Sequence, residues 1–125
     1  MNGITFDAGG LIALEGNDRR IFAILDVILG NGGQIIVPAT ALAQVIRSPS
    51  RQVRLWRMIQ LDKTEVISLD RSQAKAVGAL LARTRTSDIT DTHVVICAQL
   101  TGLAVITSDP LDLKRLDPSL RVIAV

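Results

Sequence analysis

Short apolar runs alternate with stretches of helical period along this chain, and that alternation predicts most of its elements. Ile4 to Phe6 is a brief apolar run closed by Asp7-Ala8-Gly9-Gly10, which predicts a strand and then a tight turn. Leu11 to Leu14 begins a short helix. From Asp18 to Leu29, Ile21, Ala23, Ile24, Leu25, Ile28 and Leu29 recur at a helical period, with Asn17 or Asp18 as N-cap and Gly30-Asn31-Gly32-Gly33 as the stop. Gln34 to Val37, rich in β-branched residues, predicts a second strand. Pro38 suits the first turn of a helix reaching about Arg47. Ser48-Pro49-Ser50 breaks that helix, and another is expected from about Arg51 to Leu61.

The second half repeats the pattern. Thr64 to Leu69 predicts a third strand. Asp70 would cap a helix from Arg71 to about Arg83, with Ala74, Ala76, Val77, Leu80 and Leu81 inward, and Thr84 to Ser87 would be a polar loop. A helix is expected from Asp88 to Leu100, closed by Gly102 where a left-handed cap is favoured. Leu103 to Thr107 predicts a fourth strand, Ser108-Asp109-Pro110 a turn, Leu111 to Leu116 a short helical turn, and Val122 to Val125 a last strand. Strands alternating with crossover helices predict an α/β fold: a single domain over residues 1–125, with a mostly parallel sheet of four or five strands flanked by helices.

Composition narrows the classes. The chain has 125 residues, 48% of them hydrophobic, enough for a core without disulfides. A lone cysteine, Cys97, permits neither an intrachain disulfide nor a Cys-rich zinc site, and fits a reducing cytoplasm. No apolar stretch reaches the roughly 20 residues of a spanning helix, and the N-terminus lacks the basic region of a signal peptide. Fourteen basic residues against 12 acidic ones give a net charge of +2, a weak global signal. Its distribution says more. Arg47, Arg51, Arg54 and Arg57 fall in one stretch, while Asp88, Asp91, Asp109 and Asp112 gather in the C-terminal third. A basic wall beside an acidic pocket could hold a phosphodiester backbone over bound cations; the arginines read equally well as an ordinary solvated helix face.

Ligands of open α/β sheets collect at the C-terminal ends of the strands, and three acids stand there. Asp7 follows the first strand, Asp109 follows the fourth, and Asp91 lies in the first turn of the helix preceding the fourth. Asp88 is about −60° from Asp91 around that helix, so both can face one side. Carboxylates brought together repel one another, and a cation relieves the repulsion. Oxygen ligands without His or Cys select Mg²⁺ or Mn²⁺, which can drive phosphodiester hydrolysis through an activated water. Each acid also has a plainer reading: Asp88 as an N-cap with Asp91 beside it, Asp7 as a turn residue, Asp109 as a turn or cap, and Asp112 as a mostly solvated side chain.

Ile4-Thr5-Phe6-Asp7, Val37-Pro38-Ala39-Thr40-Ala41-Leu42-Ala43-Gln44-Val45-Ile46-Arg47, Ser87-Asp88-Ile89-Thr90-Asp91-Thr92-His93 and Val105-Ile106-Thr107-Ser108-Asp109-Pro110 together resemble the PIN-domain pattern in order and spacing. Length and β-α alternation are similar to VapC-type toxins of bacterial toxin–antitoxin pairs. The resemblance implies a metal-dependent endoribonuclease, with Asp7, Asp91 and Asp109 as catalytic metal-holding acids and Thr107 as a hydroxyl beside the last. The family's remaining acid, a Glu, is replaced by Gln44, which keeps an oxygen but loses a charge; Asp88 could compensate. RNA as substrate, a VapB-like antitoxin as partner, operator DNA reached through that partner, and a homodimer are likewise implied. Arg47, Arg51 and Arg54 would contact RNA phosphates. Two other readings stay open: a non-enzymatic PIN module serving a protein complex, and a plain structural α/β domain.

Several conspicuous residues point away from chemistry. His93 lies about 200° from Asp91 around the helix and should face away from the acids. Cys97 shares its face as a small buried hydrophobe. Gly30 to Gly33 lacks both the dinucleotide fingerprint and the P-loop lysine. Trp56 and Phe22 suit a core or an interface better than base stacking.

Overall fold

The computed structural model describes residues 2–125. Its elements are β1 (Gly3–Phe6), α1 (Ala8–Glu15), α2 (Arg19–Gly30), β2 (Gln34–Pro38), α3 (Ala39–Val45), a 3-10 turn (Pro49–Arg51), α4 (Val53–Ile59), β3 (Thr64–Ile67), α5 (Arg71–Thr84), α6 (Ile89–Thr101), β4 (Val105–Thr107), α7 (Pro110–Leu116) and β5 (Val122–Ala124). The sheet runs β3-β2-β1-β4-β5 and every pairing is parallel, which sharpens the expected mostly parallel sheet of four or five strands.

Burial follows position in the sheet. The central strands β1 and β4 are buried throughout, and β2 is buried from Ile35 onward. The edge strands β3 and β5 are half-exposed. Parallel strands covered on both faces have no solvent side, so they carry continuous apolar runs rather than alternation. Ile4, Phe6, Ile35, Val37, Val105 and Ile106 meet Leu11, Leu14, Ile21, Ile28, Leu55, Val94, Val95 and Leu113 in one core. Helix α6 packs on β1 and β2, with α5 and α7 against it, while α1 packs on β1 and β4 with α2, α3 and α4 around it.

The chain steps from β1 outward to β2 and β3, then returns past β1 to β4 and β5. The direction of winding therefore reverses between β1 and β4, and a crevice opens at the C-terminal ends of strands at such a switch point. Phe6 pairs with Ile106, so the two strands end within one residue of each other.

Several boundaries differ from the sequence reading for identifiable reasons. Helix α1 begins at Ala8 rather than Leu11, because Asp7 caps it and Gly9 and Gly10 are helical. Helix α3 stops at Val45, with Ile46 extended. The Gln52 side chain holds the chain beyond it: Oε1 accepts from the Arg47 and Ser48 amides, and Nε2 donates to the Val45 carbonyl. Helix α4 starts at Val53, and its third amide, that of Leu55, donates to Glu15 Oε2 at 2.9 Å. A side chain 40 residues away thus does the work of a local cap. Helix α5 runs on to Thr84, whose hydroxyl donates to the Leu80 carbonyl, so the polar loop is shorter than expected. Val77 and Leu80 are buried as expected and Ala74 is exposed. Gly102 takes φ +69° at the end of α6, the left-handed cap the sequence predicts.

Candidate active site

Asp7 is the pivot of the crevice. It ends β1 and caps α1, its Oδ1 accepting the Gly10 amide at 2.7 Å. Its own amide donates to the Ile106 carbonyl of β4 at 3.2 Å. The residue is only 4% exposed. Burial pushes its carboxyl above the ordinary carboxylate range; the Thr107 hydroxyl and the Gly10 and Gly9 amides oppose the shift, and the Asp109 charge adds to it. Gly9 and Gly10 make this approach possible. A Cβ on Gly9 would lie 1.9 Å from Ser108 Oγ and 2.9 Å from its Cβ; one on Gly10 would lie 2.8 Å from the Ile106 carbonyl oxygen. The two glycines let the first turn of α1 rest on the end of β4 and bring Asp7 beside the Thr107–Asp109 segment.

On that segment Thr107 is fully buried, and its hydroxyl accepts the Asp109 amide at 2.8 Å. Asp109 occupies the cap position of α7, but its carboxylate makes no capping hydrogen bond and is exposed. The plainer reading of Asp109 as a cap therefore does not use up its side chain.

The other acids come from α6 and α7. Asp88 caps α6, accepting the Asp91 amide at 2.9 Å, and Asp91 is half-buried one turn further on. The Asp91 carboxyl is pushed up to about 6, first by burial and then by the charges of Asp88, Asp7, Asp112 and Asp109. These five carboxylates share one electrostatic neighbourhood. Asp112 is exposed, as the sequence suggests, yet it lines a cavity of about 180 Å³ with Thr86, Asp88, Asp91, Arg115 and Leu116. The legible signal for it was the repeated three-residue spacing, Asp88 to Asp91 and Asp109 to Asp112, which places each pair on one helical face.

Among the described residues, no three His, Cys, Asp or Glu side chains already converge at ion-binding range. The donor chemistry nonetheless suits a hard divalent cation: the side chains gathered here offer carboxylate and hydroxyl oxygens, and the charges of Asp7 and Asp91 are offset by no ion pair among the described residues. Gln44 comes from a different helix. It is exposed on α3 and lines a separate cavity of about 230 Å³ with Leu11, Ile12, Glu15, Val45, Arg47, Gln52 and Leu55. Arg47 lines that cavity too, and its guanidinium donates to the Ile46 carbonyl. Arg51 is exposed, and Arg54 lies with Arg57 along an apolar groove formed by Leu14, Phe22, Leu25, Leu29, Met58 and Leu61.

The PIN-domain family matches residues 4–117 of this sequence, nearly its whole length. The chain belongs to the PIN-domain family. No curated protein matches it at a significant level. Among solved structures, this PIN domain is similar to VapBC2 from Rickettsia felis bound to a promoter DNA fragment, with a TM-score of 0.74 at 14% identity over 98% of each chain. It is similar to DNA-bound VapBC from Salmonella typhimurium, with a TM-score of 0.71 at 19% identity over 99% of this chain and 98% of that one. A toxin–antitoxin complex from Klebsiella pneumoniae gives 0.70 at 20% identity, over 97% and 96%. At these identities the likeness is one of fold.

Within this PIN domain the residues read as structural are placed accordingly. His93 is fully buried, its Nδ1 is 2.8 Å from Thr40 Oγ1, and burial holds its imidazole below the usual range, so it is neutral. It ties α6 to the start of α3. Cys97 is buried, and burial pushes its thiol up to about 12, far from a reactive thiolate. Phe22 and Trp56 are half-buried, Phe22 in the apolar groove. No helix of the described residues is long and apolar enough to cross a membrane.

Proposed function

We propose that this PIN domain is the toxin of a type II toxin–antitoxin pair and acts as a Mg²⁺- or Mn²⁺-dependent endoribonuclease. The observation that carries the reading is the carboxyl of Asp91, pushed up to about 6 where burial meets the charges of Asp88, Asp7, Asp112 and Asp109 at the switch point of the sheet. A fold holds mutually repelling acids at the usual ligand position of its class at a cost in stability, and functional sites are where such costs concentrate. PIN domains are typically nucleases, which agrees with that chemistry.

Asp7, Asp91 and Asp109 would hold the ion, with Asp88, Gln44 and Thr107 in support. A bound divalent cation would supply an activated water and neutralise the charge that develops on the phosphodiester. The chain's own contribution is orientation. The Gly10 amide fixes one oxygen of Asp7, and Thr107 fixes the backbone that presents Asp109. RNA would be the substrate, with Arg47, Arg51 and Arg54 meeting its backbone outside the acid cluster. A VapB-like antitoxin, operator DNA reached through it and a homodimer complete the proposal; support comes from the fold likeness to VapBC chains solved with promoter DNA.

The test is cleavage of single-stranded RNA by the purified chain with and without Mn²⁺ or Mg²⁺, alongside Asp7→Asn and Asp91→Asn. Metal-dependent cleavage lost in both variants is expected; absence of cleavage under all conditions overturns the enzyme reading. Gln44 favours a second reading, a PIN module without activity that serves the antitoxin complex, because it lacks the charge of a Glu and lines a cavity apart from Asp88 and Asp91. Gln44→Glu activity absent from the native chain would select it.

A further inference from the structure

The wall of the acid cavity contains a guanidinium. Arg115 lines it with Asp88, Asp91 and Asp112, and is the basic member of the described lining. An acidic cluster repels a phosphodiester anion, so a nuclease site of this kind needs positive charge beyond its cation to seat the substrate. Of the basic stretch, Arg47, Arg54 and Arg57 lie by other cavities, and two of them point guanidinium nitrogens at backbone carbonyls, Arg47 at Ile46 and Arg54 at Glu15.

Arg115 is differently disposed. Its helix is anchored by the buried Leu113 and Leu116 on either side of it in sequence, so its backbone position is set. Its side chain is 79% exposed, and its one ion pair among the described residues, Nη1 to Asp112 Oδ1, spans 3.7 Å, beyond a hydrogen bond. So loose and exposed a pair contributes little and is readily given up. A guanidinium offers a planar fork of donors that matches two oxygens of one phosphate. We propose that Arg115 grips the phosphodiester group lying over the acid cluster, exchanging its weak contact with Asp112 for bidentate donation to phosphate oxygens. This rests on the nuclease reading and adds to it the residue that seats the substrate.

The experiment measures fluorescence anisotropy of a short fluorescein-labelled oligouridylate with the native chain, Arg115→Ala, Arg115→Lys and, as a control on α2, Arg19→Ala, with Ca²⁺ replacing Mn²⁺ to slow turnover. Arg115→Ala is expected to weaken binding roughly tenfold and to lower the salt dependence by about one phosphate contact, with the thermal midpoint unchanged. Arg115→Lys should recover part of the affinity, since it restores charge without the fork. Arg19→Ala should match the native chain. Equal affinity and salt slope for native and Arg115→Ala overturn the inference while leaving the nuclease reading standing. So does a result in which Arg115→Ala changes cation affinity alone, since the guanidinium would then be an internal counter-ion. Absence of RNA binding by the native chain overturns both.

Discussion

Asp88 holds the backbone amide of Asp91 at 2.9 Å and at the same time pushes the Asp91 carboxyl up with its charge. One side chain thus stabilises the start of α6 and destabilises the ionised form of the residue it caps. Asn caps a helix about as well as Asp, so Asp88→Asn should keep the helix and lower the Asp91 titration midpoint. Asp88→Ala should lower it too, at a cost of about 1 kcal/mol from the lost cap. Carbon-detected NMR titration and chemical unfolding separate the effects; an unmoved Asp91 midpoint in both variants would deny the coupling.

The same shift predicts how stability varies with pH when no divalent cation is present. Asp91 rises from 3.8 in the unfolded reference to about 6 in the fold, so the folded state holds its proton more tightly. Its contribution is complete below about 4 and is lost as pH rises through about 6. Asp7 shifts in the same direction. Asp18 and Asp117 are shifted downward by hydrogen bonds and act oppositely, losing their contribution in acid. Unfolding in EDTA should therefore show stability declining between pH 4 and pH 6.5. Asp91→Asn should flatten that decline and stabilise the metal-free chain at pH 7 by roughly 1–2 kcal/mol, a figure reduced for the half-exposed carboxyl.

Adding millimolar Mg²⁺ or Mn²⁺ to the EDTA-stripped chain should raise the thermal midpoint, because a ligand bound to the native state stabilises it by mass action. The rise should vanish in Asp7→Asn. A rise that survives this substitution would put the cation elsewhere.

Glu15→Ala should cost about 1 kcal/mol, since it leaves the Leu55 amide at the start of α4 without its acceptor. Glu15→Gln keeps an oxygen there and should recover most of the loss. Equal stability of all three chains would show that water replaces this cap.

Gly9→Ala should destabilise the fold by about 1–3 kcal/mol, because the new methyl meets Ser108 Oγ at 1.9 Å and its Cβ at 2.9 Å. Ser108→Gly removes both atoms and should relieve part of the cost in the double variant. A double-mutant cycle measures this, and purely additive effects would argue against the close approach.

Local patterns settled much of this protein. Five strands, the caps Asp70 and Asp88 and the left-handed Gly102 follow from side-chain period and from hydrogen bonds spanning a few residues, so they are legible one segment at a time. Asp7 and Asp109 were legible as acids at strand ends, and Asp91 as one in the first turn of a helix. Their relation to one another was not. That β1 lies beside β4 depends on the direction of winding reversing after β3, which follows from how the helices pack on both faces of the sheet and not from any one segment. The same holds for Gly9 and Gly10, which read as a turn and instead form a helix pressed on β4, and for Glu15, which caps a helix 40 residues away. Asp112 joins the acids, while Gln44 lines another cavity, for the same reason: sequence spacing places a side chain on a helix face, but what that face meets is decided by the sum of packing contacts across the whole domain.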